Sequence, residues 1–223
     1  MSNVKPILAI ETSEVICSAA LYYSSEKYFE SAVKLKHSHS EKLFEIIEFL
    51  FQQAEINRDE ISSVAVSSGP GSFTGLRIGM AAAKGIASGA GIPLIVVPTF
   101  EALAYQLSAC ISDNTEFIIA NKVNNDEVYY AKFKITSNNY IFVDELTILA
   151  NDEFVNKSNG TKVFGSASYL VKEDKNSNII SSLSAKYIAE WALKFGEKIS
   201  TFDYDYIEPS YLKDFIVKMR HKK

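Results

Sequence analysis

The chain has 223 residues, 47% hydrophobic and 22% charged, so it can bury a core of its own as one large domain or two small ones. Its formal net charge is −4. That argues against a protein that grips nucleic acid unaided, because phosphate binding needs a basic footprint.

Ile7-Leu8-Ala9-Ile10 is a short apolar run, the pattern of a strand buried on both faces. Glu11-Thr12-Ser13 follows as a turn. Strands are predicted over Ile16 to Tyr23 and Tyr28 to Lys36, spaced tightly enough for an antiparallel meander. Ser40 to Ile56 reads as a helix. At 100° per residue its apolar side chains, from Phe49 through Leu43 to Phe44, cover roughly 220°, more than one neighbour can hide. Val64-Ala65-Val66 is a strand that runs into the glycine-rich turn Ser67-Ser68-Gly69-Pro70-Gly71-Ser72-Phe73-Thr74-Gly75. A helix follows from Leu76 to about Ala90. Arg77, Lys84 and Ser88 are its only strongly polar members and share a narrow arc, which predicts a buried helix. Gly79, Ala82, Ala83, Gly85 and Gly89 also permit close helix approach, at a propensity cost of up to ~1 kcal/mol per glycine.

Ile92 to Val97 is predicted as a strand, and Pro98-Thr99-Phe100-Glu101 opens a helix with Thr99 as its N-cap. Three strands are expected at Phe117 to Ala120, Glu127 to Lys134 and Tyr140 to Leu149. Val163-Phe164 is a weak strand, and Leu183 to Phe195 a helix. With no linker or sequence repeat, the reading is two closely packed lobes, residues 1–100 and 101–223, the last segment packing back on the first lobe. Cys17 and Cys110 have no CxxC neighbours and are expected as buried free thiols. The first six residues lack a signal-peptide stretch, and no run approaches ~18 apolar residues, so a cytoplasmic protein without a membrane span is expected.

A strand–glycine loop–helix junction is a ready anion site, because free amides and the helix dipole point at it. The spacing at Ser68 to Gly79 is neither a P-loop nor a dinucleotide fingerprint. Phosphate binding and a structural turn feeding a packed helix both remain open from the residues alone.

Ser67-Ser68-Gly69-Pro70-Gly71-Ser72-Phe73-Thr74-Gly75-Leu76-Arg77-Ile78-Gly79 resembles the signature of the TsaB (YeaZ) family. Other pieces stand in matching order: Leu8 to Ser13, Cys17 to Leu21, His39-Ser40-Glu41, Ala83 to Ala87, Ile92-Pro93, Glu101 to Ala104 and, near the end, Glu208 to Lys213. The match is dense over 7–105 and thin beyond. One stretch departs: where the family often has an acidic residue and an arginine before Glu-Val-Tyr, this chain has Ala120 to Asp126, with Asn121 and Asn125.

The resemblance implies an α/β fold of the actin-like ATPase (ASKHA) class, with two RNase H-like lobes and mixed sheets. It implies a non-catalytic partner of a TsaD-type subunit, which carries metal and makes N6-threonylcarbamoyladenosine in tRNA, with a TsaE-type ATPase completing the complex. Homodimers also occur in the family, and tRNA is met only through the complex. The family pairs through its first two helices. This implies an interface built from Phe44, Ile47, Phe51, Phe73, Arg77, Gly79, Met80, Ala83 and Ile86, beside a signature loop of Gly69, Pro70, Gly71, Ser72, Thr74 and Gly75. Replacing Gly79 or Ala83 with a bulky charged residue is expected to abolish pairing and spare the fold. No catalytic residue, cofactor or metal is expected.

Other readings compete. His37-Ser38-His39 is a poor metal pair, because residues two apart do not share a helix face. Glu11-Thr12-Ser13 lies where related kinases handle metal and phosphate; a turn bonded to itself is the alternative. Tyr22-Tyr23 and Tyr129-Tyr130 read as strand residues. Lys218, Arg220, Lys222 and Lys223 form a basic tail, either solvated or touching RNA or a partner. A small-molecule kinase of the same superfold would need a second phosphate loop, for which Asn159-Gly160 and Phe164-Gly165-Ser166 are weak candidates. A peptidase would need a nucleophile–base pair or a metal, and the sequence offers neither.

Overall fold

A computed structural model describes residues 4–34, 39–171 and 182–212. Five strands, β1 (Ile7–Glu11), β2 (Ile16–Ser24), β3 (Lys27–Lys34), β4 (Ser63–Gly69) and β5 (Leu94–Pro98), form a sheet in the order β3-β2-β1-β4-β5. β1 is antiparallel to β2 and parallel to β4, and β4 is parallel to β5. β1 and β4 are buried along their whole length, as central strands covered on both faces are, whereas β3 alternates like an edge.

The pleat of β1 sorts its side chains between two cores. Leu8 and Ile10 meet α1 (His39–Ala54) and α2 (Phe73–Ala90); Ile7 and Ala9 meet α3 (Thr99–Ser108) and α5 (Ala185–Phe195). A second sheet of β6 (Glu116–Lys122), β7 (Glu127–Ile135), β8 (Tyr140–Ala150) and β9 (Lys162–Phe164) has the order β8-β7-β6-β9. Phe117 and Ile119 of β6 share the α3–α5 core, while Ile118 and Ala120 pack on Phe154 of α4 (Asn151–Lys157). So α3 and α5 are wedged between the sheets, with α1 and α2 outside one and α4 outside the other.

The second sheet repeats the first. In each, an antiparallel meander is followed by a helix and then a strand parallel to the meander's first. This is the RNase H-like unit used twice, with the second cut to four strands, and is the actin-like architecture expected from the sequence. Among the described residues, no helix is long and apolar enough to cross a membrane.

The chain returns to the first lobe after the second. α5 packs on β1 and β2, Leu94 bridges Thr201, and the Tyr204 hydroxyl donates to the Ile92 carbonyl at 2.8 Å. Residue 100 therefore lies just inside α3, and the spatial lobes interleave residues from both halves of the sequence.

Four expectations are corrected. α4 was unforeseen, its seven residues being too few for a helical period to show. α2 begins at Phe73, three residues early, because Ser72 caps it: the Ser72 hydroxyl accepts the Gly75 amide at 3.2 Å. Thr99 does not cap α3; its hydroxyl is buried and accepts the Gly69 amide at 3.0 Å. Cys17 is buried as expected, but Cys110 is exposed beyond the end of α3.

Candidate functional site

The two outer helices meet the first sheet with a narrower face than their composition suggested. On α1, Leu43, Ile46, Ile47, Leu50 and Phe51 are enclosed by the chain's own β2, β3 and α2, while Phe44 and Phe49 at the flanks remain 56% and 49% exposed. On α2, Leu76, Gly79, Met80, Ala83 and Ala87 face inward. The opposite side carries Arg77, Ala81, Gly85 and Gly89, exposed at four-residue spacing, so they lie one above another. The expectation of a wholly buried α2 is corrected: its residues are apolar, but glycine and alanine hide little area.

Of the nine expected interface residues, Phe44 and Arg77 are exposed, and Phe73 and Ile86 half-buried. Ile47, Phe51, Gly79, Met80 and Ala83 are buried inside this chain, so they shape the helices from behind and present no surface. A charged side chain at Gly79 or Ala83 is now expected to break the fold. A Cβ on Gly79 would run into the Thr12 hydroxyl.

The surface that is offered was missed in part. Phe44, Ile86, Ala81, Gly85 and Gly89 line a groove of about 470 Å³, together with Arg58 and Asp59. The Arg77–Ala81–Gly85–Gly89 spacing, set against the inward Leu76–Met80–Ala83–Ala87 series, was the available signal. At the other end of α2, the Arg77 guanidinium lies 3.8 Å from the Phe73 ring centre and donates to the Tyr211 hydroxyl at 3.0 Å. Ile207, Glu208, Pro209 and Tyr211 line a second, smaller pocket there against Arg77 and Lys84.

The signature loop spends its backbone on its own chain. Gly69, at φ +114°, lies against the Ser210 carbonyl, and the Ser210 amide donates to the Ser68 carbonyl at 2.7 Å. A cis peptide links Gly69 to Pro70. The Ser72 amide donates to the Ser13 carbonyl at 2.6 Å. Cβ atoms on Gly71 and Gly75 would strike the Ser13 and Thr12 carbonyls. Thr74 is exposed on the first turn of α2. The glycines therefore let the α2 start close down on the β1 turn. Four amides that could face an anion, those of Gly69, Ser72, Gly75 and Leu76, donate instead to Thr99, Ser13 and Ser72.

The β1 turn bonds to itself, as one of its two readings expected. Glu11 Oε1 accepts the Ser13 amide at 2.6 Å and also the Ser13 hydroxyl. Burial lifts the Glu11 carboxyl from the usual carboxylate range to about 7, although the Ser13 bonds oppose this. In the departed stretch, Asn121 is 2% exposed and its Oδ1 accepts the Ser166 amide at 2.9 Å. Gly165 and Ser166, a weak phosphate-loop candidate, are thus used to pin β6 to the start of the next turn. Tyr22-Tyr23 and Tyr129-Tyr130 lie in β2 and β7. His37 and His39's side chain, and the basic tail from 213 on, lie outside the described residues. Among those described, no group of three His, Cys, Asp or Glu is placed to hold a metal.

Comparison with known proteins bears on this geometry. The family described as "TsaD: tRNA N6-adenosine threonylcarbamoyltransferase" matches residues 33–155. The TsaB protein of Escherichia coli is 29% identical over 153 residues, 68% of this chain and 64% of that protein. The TsaB protein of Buchnera aphidicola subsp. Schizaphis graminum is 30% identical over 147 residues, 66% of this chain and 68% of that one. Against the first relatives, the alignments span between half and two thirds of those proteins' own length. The solved structure of YeaZ from Pseudomonas aeruginosa superposes with a TM-score of 0.75 at 19% identity, covering 93% of this chain and all of that one, which shows a common fold. The chain belongs to the TsaB (YeaZ) family.

Proposed function

We propose that the chain is the non-catalytic pairing subunit of a machinery that makes N6-threonylcarbamoyladenosine in tRNA. Its relatives carry the name of that biosynthesis, and the family matching residues 33–155 is described by the transferase activity itself. In this reading a TsaD-type subunit seats on the α1–α2 face and does the chemistry, a TsaE-type ATPase joins the pair, and tRNA is held by the assembly, in keeping with a chain of net charge −4. The protein works in the cytoplasm, where the tRNA is.

The observation that carries the reading is the groove beside α2. Exposed Ala81, Gly85 and Gly89 leave room for a partner backbone to come close, and Phe44 stands beside them as a large apolar anchor. The same face suits a second copy of the chain, so homodimerisation is a competing use of one surface. A kinase-like reading is disfavoured by the signature loop, whose amides are engaged with Ser13, Ser72 and Thr99.

The test is co-purification with the TsaD-type subunit. Ala81→Arg fills the groove from an exposed helix position and is expected to abolish pairing, to lower threonylcarbamoyladenosine in cellular tRNA, and to leave the unfolding midpoint of the free chain within error. Undiminished pairing by that variant would remove the interface. Threonylcarbamoyl transfer by the isolated wild-type chain would remove the non-catalytic role.

A further inference from the structure

The outer side of α2 carries two cations for which the chain supplies no counter-ion. Arg77 and Lys84 stand seven residues apart, so they share one side of the helix, about 10 Å from each other along its axis. Arg77 is held ready. Its guanidinium lies over the Phe73 ring at 3.8 Å, and its Nε donates to the Tyr211 hydroxyl at 3.0 Å. These contacts fix the plane of the fork and leave both terminal nitrogens without a partner among the described residues. Lys84 forms no hydrogen bond or ion pair among the described residues.

Both cations line the pocket of about 240 Å³ between α2 and the returning segment. Met80 and Ile207 give it an apolar lining, which weakens the screening of charge there. Glu208 lines the same pocket but pairs with neither cation, so two positive groups stand against one negative and the pocket keeps a positive surplus. Ala81 lines both this pocket and the groove beside it. The pocket therefore continues the face on which pairing is proposed. A carboxylate suits it better than a phosphate. The free end of the Arg77 fork matches two carboxylate oxygens, and Glu208 opposes any second negative charge.

We propose that this pocket seats an acidic side chain of the TsaD-type subunit, its carboxylate gripped end-on by Arg77 and attracted by Lys84. The proposal rests on the pairing reading above and gives it a charged anchor at the opposite end of α2 from Gly89. It also gives the returning segment a use: Tyr211 fixes the fork, and Ile207 to Pro209 complete the walls.

The test uses the full chain mixed with its TsaD-type subunit. Affinity of the parent is expected to fall as sodium chloride rises from about 0.05 to about 0.5 M, because ions screen the contact. Arg77→Gln with Lys84→Gln should weaken pairing about thirtyfold or more at the lower salt and flatten that dependence. Zero-length carbodiimide coupling of the parent complex should join the Lys84 amine to an aspartate or glutamate of the TsaD-type subunit, located by peptide mass spectrometry. Lys84→Gln by itself removes no bond within the chain, so it should keep the fold and lose the coupling. A parent that does not pair at all removes the pairing reading and this pocket with it. If the parent pairs, the groove stands and the carboxylate pocket alone falls on any of three results: a double variant that pairs as tightly as the parent, a double variant weakened equally at every salt, or Lys84 coupled only to Glu208 of its own chain or to a second copy.

Discussion

Alanine placed at two glycines of α2 should change stability in opposite directions. At Gly85 an added Cβ meets nothing within 4 Å, and the residue is exposed in the helix interior. The gain is the helix-propensity difference alone, ~0.5–1 kcal/mol. At Gly79 the Cβ runs into the Thr12 hydroxyl, and Thr12 is wholly buried under α2, so it cannot swing out to solvent. Either Thr12 leaves its rotamer or α2 lifts from β1. Overpacking of this kind costs ~1–3 kcal/mol, more than the propensity gain returns. The propensity gain is common to both, so the two variants should differ by the overpacking cost, about 1–3 kcal/mol, in urea unfolding at equal m-value. Gly85→Ala raises the midpoint and Gly79→Ala lowers it. A destabilising Gly85→Ala, or a Gly79→Ala as stable as the parent, would refute the assignment of outer and inner faces. Gly85→Ala should also weaken pairing while strengthening the fold, because its methyl enters the groove.

Other outcomes follow from single residues. Glu11 holds its proton to about pH 7 in the fold and to 4.5 as an ordinary carboxyl, so the folded state binds more protons between those values. Stability should fall as pH rises from 4.5 through 7 and then level; for Glu11 by itself the loss is about 3 kcal/mol, and Glu11→Gln should flatten that slope in denaturant titrations at several pH values. The buried Trp191 indole donates to the Tyr140 hydroxyl at 2.8 Å, which donates to Glu101 at 2.8 Å. Tyr140→Phe should cost about 1–3 kcal/mol by leaving the indole unpaired, and should shift the emission of the chain's single tryptophan. A thiol reagent should titrate Cys110 in the native protein. Cys17 is buried, with its thiol pushed up to about 11, and should react only after unfolding.

Much of the fold was legible because the strands of an actin-like lobe are unusually plain. β1, β4 and β5 are short apolar runs bounded by turns, and a strand covered on both faces has no other way to look. The order of the signature and its flanking pieces located them along the chain. Less legible was the candidate site. A helical wheel counts apolar residues without weighing their area, so α2 read as buried all round, although Ala81, Gly85 and Gly89 stand at the surface. For the same reason Ile47, Phe51 and Met80 were assigned to a partner when β2, β3 and β4 of the same chain already cover them.

What the residues determined by themselves is local: the unbroken apolar run of β1 and the glycines that admit a tight loop. They also revealed kinship, since ordered motifs survive where side-chain contacts are unknown. What only the tertiary structure decided is which surfaces are spent. Gly71, Gly75 and Gly79 prove to be seats for the Ser13 and Thr12 backbone and hydroxyl, Asn121 proves to be the anchor of the Ser166 amide, and the chain's last described segment returns to α2 with Tyr211. Each of these joins residues far apart in sequence, and such contacts depend on how two sheets and a helical wedge fit together in space, a matter on which no local pattern carries information.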